Sequence, residues 1–189
     1  MQRVLGYSPL KTGVAYLAVA GTSILWANVA AQVVNRVGVK PALVFGMSMM
    51  TVGLVYFTQV SVGGSYWADL FPGFLIIGIG IPFAFIPITI AAVAGTKPAE
   101  AGLASGLVNT TQQIGGALGI AVLSTVANST TRSDSKSGVA IANALTHGFQ
   151  NAFWVGVGVA AVGVAVAVLF VRRSDLVPEA VPEAVVEAA

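Results

Sequence analysis

The residues best able to engage another molecule are neutral amides set at helical spacing. Asn109, Gln112, Gln113 and Gly116 recur at i, i+3, i+4 and i+7, which places them on one face of a helix. Asn28 and Gln32 share a second face at i, i+4, with Trp26 nearby. Amides donate and accept hydrogen bonds but do not titrate, so this chemistry is recognition rather than acid–base or nucleophilic work. An unpaired amide in hydrocarbon is costly. Each face must therefore meet another helix or a wet cavity. Two readings stay open for it: a substrate-lining surface, or interhelical hydrogen bonding of the kind common in membrane bundles.

Little else could carry chemistry. Cys is absent and there is one His, His147. It falls in a polar stretch read as a loop and is assigned no role. No His/Glu spacing suggests a metal cluster, so neither catalytic residues nor a metal site nor a cofactor is expected. The net charge of +2 comes without a basic stripe, which leaves no nucleic-acid footprint.

The elements that position these amides follow from composition. Hydrophobic residues make up 56% of 189 positions, only 8% are charged, and mean hydropathy is +0.87. A soluble domain carries roughly 25% charged residues, so this chain has too little polar surface to cover a water-exposed globule. Uncharged runs separate Lys11 from Arg36, Lys40 from Asp69, Asp69 from Lys97, Glu100 from Arg132 and Lys136 from Arg172. Each is long enough for one crossing of ~30 Å of hydrocarbon by ~20 residues. Lipid admits only helices or closed barrels, and the runs lack the alternation of barrel strands.

The expectation is an all-α integral membrane protein. A re-entry segment at 1–12, external to the membrane, leads into a five-helix domain at 13–173, with spans 13–34, 42–60, 70–94, 103–127 and 151–171. A solvated, disordered tail follows at 174–189, where Val-Pro-Glu-Ala repeats. The polar stretch 128–150 reads as the loop between the last two spans. Spans 42–60 and 151–171 read as plain and lipid-facing.

Within the spans, small and helix-breaking residues stand out. Gly102 and Gly106, and Gly115 and Gly119, form small-xxx-small pairs suited to close helix packing. Pro82 and Pro87, with Gly78 and Gly80, are expected to interrupt span 70–94 near its middle. Lys and Arg near span ends slightly favour placing Arg36, Lys40, Lys97, Arg172 and Arg173 inside. That puts the C-terminus in the cytoplasm. Five spans would then leave the N-terminus external, which suggests a missing upstream helix.

Several stretches in order resemble one family. They are Val4-Leu5-Gly6-Tyr7-Ser8-Pro9-Leu10-Lys11-Thr12-Gly13; Arg36-Val37-Gly38-Val39-Lys40; Gly78-Ile79-Gly80 with Pro82 and Pro87; and Gly102-Leu103-Ala104-Ser105-Gly106 leading to Asn109 and Gln112 through Gly119. Together, over roughly positions 1–173, they resemble the C-terminal half of the major facilitator superfamily, in its bacterial fourteen-helix drug:proton antiporter branch. The resemblance implies half of a fold built from inverted three-helix repeats, without its first helix. It implies that spans 13–34, 70–94 and 103–127 line a central cavity, a division the polarity of the spans also gives.

It further implies proton-coupled efflux of amphipathic small molecules across a bacterial plasma membrane. The partners implied are the lipid bilayer, a missing N-terminal half, protons and a small-molecule substrate. The family's cytoplasmic gating motif, Gly-x-x-x-Asp-Arg-x-Gly-Arg-Lys, is incomplete here. Ala31, Asn35 and Val39 depart from it, whereas Arg36, Gly38 and Lys40 remain. A non-transporting membrane scaffold, or a degenerate remnant of a transporter, is the alternative. An enzyme is not expected, because no span holds a titratable constellation.

Overall fold

The computed structural model describes residues 1–93, 96, 97 and 99–171. The anticipated tail at 174–189 and the pair Arg172 and Arg173 lie outside the described residues. A short helix α1 (Gln2–Leu5) precedes five long ones: α2 (Pro9–Val37), α3 (Val39–Phe57), α4 (Phe71–Val93), α5 (Ala101–Lys136) and α6 (Ile141–Phe170). All five long helices are apolar and long enough to cross a membrane. A π-helical turn, Tyr66–Leu70, runs directly into α4.

Local chemistry sets the boundaries. Ser8 caps α2, its Oγ accepting from the Lys11 N–H at 3.2 Å, and Pro9 fills the first helical position, where a missing N–H costs nothing. Gly38, at φ +93°, separates α2 from α3. The helices run past several anticipated span ends, most of all at the polar stretch 128–150. That stretch is not a loop. α5 continues to Lys136 and α6 begins at Ile141, leaving a turn at 137–140. Polar residues do not end a helix by themselves. Termination comes at Gly138 (φ +82°), where the Val139 N–H reaches back to the Asp134 carbonyl. At 36 residues α5 is about 54 Å long, well beyond ~30 Å of hydrocarbon, so its charged last turns project into water.

α4 is the hub, packed against both α2 and α3, while α6 packs against α3 and α5. Ala30, Val34, Val39, Ala42 and Phe83 form one buried cluster from α2, α3 and α4. Leu43, Ala84 and Ala167 form a second, which ties in α6. The expectation that 42–60 and 151–171 are plain spans is corrected: each buries an inner face lined by small residues, such as Gly46 and Gly53 in α3 and Ala152, Gly156 and Ala167 in α6.

Candidate functional site

Asn28 and Gln32 lie one turn apart on the exposed side of α2, opposite the buried Ala30 and Val34. Trp26 is 38% exposed. Its ring leans on Phe83 of α4 at 6.4 Å, and Phe83 in turn meets Phe45 of α3 edge-on at 5.0 Å. Trp26 is therefore a wall element braced from behind, within the preferred range of aromatic pairs.

Asn109, Gln112 and Gln113 are likewise exposed, on α5. None of these five amides hydrogen-bonds to another described residue, so the interhelical bonding that was one of the two open readings is not formed among the described residues. The neighbouring hydroxyls turn inward instead: Thr110 and Thr111 donate to the carbonyls of Gly106 and Leu107 at 2.9 and 2.8 Å. What remains is two strips of neutral donors and acceptors on two helices, with an aromatic ring beside one of them. Such a surface can bind; it has no group that could transfer a proton or attack a carbon.

The glycines divide sharply. A Cβ added at Gly102, Gly106, Gly115, Gly116 or Gly119 meets nothing within 4 Å. The close packing expected of these positions is not realised among the described residues. Tight approach occurs elsewhere, at glycines the sequence reading passed over or used otherwise. A Cβ on Gly46 would stand 2.4 Å from the Phe83 carbonyl carbon, and one on Gly80 would stand 2.8 Å from the Gly46 carbonyl oxygen.

Pro82 and Pro87 do not break α4, which is continuous through both, and both are buried. Pro82 lacks the N–H that would bond the Gly78 carbonyl. Ser23 of α2 supplies the replacement, its Oγ donating to Gly78 O at 3.0 Å. A neighbouring hydroxyl often satisfies such a carbonyl in membrane helices. Pro87 leaves the Phe83 carbonyl free in the same way, and Gly46 presses against it.

At the opposite end from the π-turn, Gly38 makes the bend and its N–H bonds Val34 O at 2.9 Å. Lys40 reaches across to α6 and donates from Nζ to Val168 O at 2.6 Å, a cation on a helix C-terminus. Arg36 is exposed and has no ion-pair partner among the described residues. The Lys40 of the incomplete gating motif thus holds two helices of the same bundle together.

His147 is not in a loop. It belongs to α6, and its Nδ1 lies 2.9 Å from Asp134 Oδ2 on α5. Beside it Asn151 donates to Thr130 Oγ1 at 3.3 Å, and Gln150 donates to Val60 O at 2.7 Å. The i, i+4 spacing of His147 and Asn151 was the available signal. Asp69, in the π-turn, has a buried carboxylate oxygen without a hydrogen-bond partner among the described residues, folded over Gly64 where no Cβ has room. Among these residues no group of three or more His, Cys, Asp or Glu could hold a metal ion.

Residues 1–120 match the family model described as Major Facilitator Superfamily. Over 84% of the chain, the sequence is 32% identical to the puromycin resistance protein pur8 of Streptomyces alboniger, covering 33% of that protein. It is also 32% identical to the cephamycin export protein CmcT of Amycolatopsis lactamdurans, over 69% of this chain and 27% of that one. The tetracenomycin C resistance and export protein of Streptomyces glaucescens is 31% identical over 65% of this chain and 23% of its own length. The chain spans about a third or less of these relatives. Five apolar helices, small-residue crossings, a proline-bearing hub and this set of relatives lead to one conclusion: the chain belongs to the Major Facilitator Superfamily.

Proposed function

We propose that this chain forms part of the cavity wall of a proton-coupled exporter of amphipathic small molecules in a bacterial plasma membrane. The observation that carries the reading is the pair of amide strips, Asn28 with Gln32 and Asn109 with Gln112 and Gln113. They flank the hub helix and find no hydrogen-bond partner among the described residues. Uncompensated amides at membrane depth need a wet cavity or another protein element, and a drug-lining surface supplies the first. Relatives named as resistance and export proteins support the substrate class. In this reading protons are handled by helices outside the chain, since the strips hold no titratable group, and the turn at Gly38 and the end of α6 face the cytoplasm.

Two experiments test it. In a full-length transporter that contains this sequence, Ala variants at Asn109, Gln112 and Gln113 should change drug preference in everted vesicles for at least one position while leaving thermal stability in detergent unchanged. Loss of stability at all three with no change in preference would make the strip a packing surface. Separately, single cysteines placed at 133 and at 36 in this Cys-free chain should label from the outer and the inner side respectively. Labelling of 133 only after the inner face is opened would invert the topology.

A further inference from the structure

We propose that the cavity at the π-turn end of the bundle is a binding site for a small, uncharged aromatic ring system. It is separate from both amide strips and stands independently of the export reading. The hole measures about 240 Å³ and is walled chiefly by Tyr16 of α2, Phe57 of α3, Phe74 of α4, and Thr146, Phe149 and Phe153 of α6. Rings from four helices thus surround one space.

The hole is held open. Phe57 meets Phe74 edge-on at 5.3 Å and Phe153 at 5.5 Å, while Tyr16 lies 5.3 Å from Phe74. Gly73 brings the α4 backbone against the Phe57 ring so closely that a Cβ would stand 2.4 Å from it. Rings braced against one another in this way cannot fold inward to fill the void.

The wall chemistry selects the ligand. No charged side chain lines the cavity; Met1 also lines it, and burial holds its α-amino group below the usual range. The Thr146 hydroxyl is buried and spends its proton on the Ala142 carbonyl at 2.9 Å, which leaves oxygen lone pairs to accept. The nearby Val60 carbonyl already accepts from Gln150. An apolar cavity of about 150 Å³ stays dry and takes benzene, so the larger space here suits two fused rings. Edges and faces 4.5–7 Å apart are the geometry in which a flat ring gains beyond simple burial, which a flexible acyl chain does not. The Thr146 and Tyr16 hydroxyls among otherwise apolar side chains favour a phenol- or indole-like ring that can hydrogen-bond, in keeping with binding pockets that are mostly apolar with a few placed polar groups.

The test is photolabelling of the whole 189-residue chain in lipid nanodiscs with a naphthyl diazirine, with adducts mapped by mass spectrometry. We expect adducts on the segments around Phe57, Phe74 and Phe149 to fall at least roughly tenfold with excess 2-naphthol and to persist with excess palmitic acid. Val60→Phe, which fills the hole, should remove those adducts while labelling at the exposed Leu103 remains; Leu70→Phe is the second filling variant if the first does not fold. Labelling that 2-naphthol does not compete overturns the proposal. So does equal competition by palmitic acid, which would make the space a groove for acyl chains, and so does undiminished labelling in a folded filling variant.

Discussion

α4 and α5 are both glycine-bearing spans, yet they sit in the bundle in opposite ways. α4 has three prolines and three glycines, and each of those glycines meets a neighbour. Gly73 lies under the Phe57 ring, Gly78 against Val19 and Thr22 of α2, and Gly80 against Gly46 and Met50 of α3. α5 carries five glycines and four amides, and no residue of it is buried. A Cβ at any of those glycines would enter open space. The comparison teaches that a small-residue pattern read from sequence marks a potential close approach, but not which chain supplies the other side. On α4 the partners are in this chain. On α5 they are not.

The difference can be broken most sharply at Gly46. Gly46→Leu would drive a side chain into the α4 backbone at Phe83, and should cost about 1–3 kcal/mol, toward the top of that range. Thermal unfolding of the detergent-solubilised chain reads it; an unchanged midpoint would mean that α3 and α4 are not packed as described. Ser23→Ala comes next. It leaves the Gly78 carbonyl unsatisfied at membrane depth and should destabilise by about 0.6–1.7 kcal/mol, whereas Ser23→Thr, which keeps the hydroxyl, should avoid most of that loss. Lys40→Met removes the cation from the end of α6 and should cost about 0.3–1 kcal/mol, with a smaller loss at high salt. The smallest effect is expected on α5. Gly116→Ala in this chain should be neutral or stabilise by about 0.4–1 kcal/mol, because the helical backbone accepts Ala and nothing opposes the methyl group. If instead it destabilised as much as Gly46→Leu, the contrast between the two helices would collapse.

Helix number and type were legible because long uncharged runs in lipid leave the backbone one economical solution. The break between α2 and α3 was also legible, since Gly38 sits between two apolar periodic segments. The true end of α5 was not read, although its signal was present. Gly138 is a conventional stop, but the polar run from Asn128 onward drew the boundary too early by equating polarity with loop. For the same reason His147 was read as a loop residue, where residue spacing alone could have set it opposite Asp134 across an antiparallel hairpin. The amide strips were legible as strips, because i, i+3, i+4 spacing fixes a face. Which neighbour each face meets was not, since spacing within one helix is silent about the helices around it. Pro82 and Pro87 show the same gap. The missing N–H is certain from sequence, whereas the hydroxyl that compensates it comes from Ser23, far away in the chain.

That borrowed hydroxyl has a mechanical consequence. The Gly78 carbonyl faces a medium that offers no water, so α4 can keep it satisfied only while Ser23 stays within reach. Sliding α2 past α4 by one helical turn, about 5.4 Å, would strand both groups at once. The pair acts as a register pin between the two helices. Any rocking of this bundle would carry α2 and α4 together as one rigid plate, with the freedom to shear left to the glycine-lined, unpinned surface of α5.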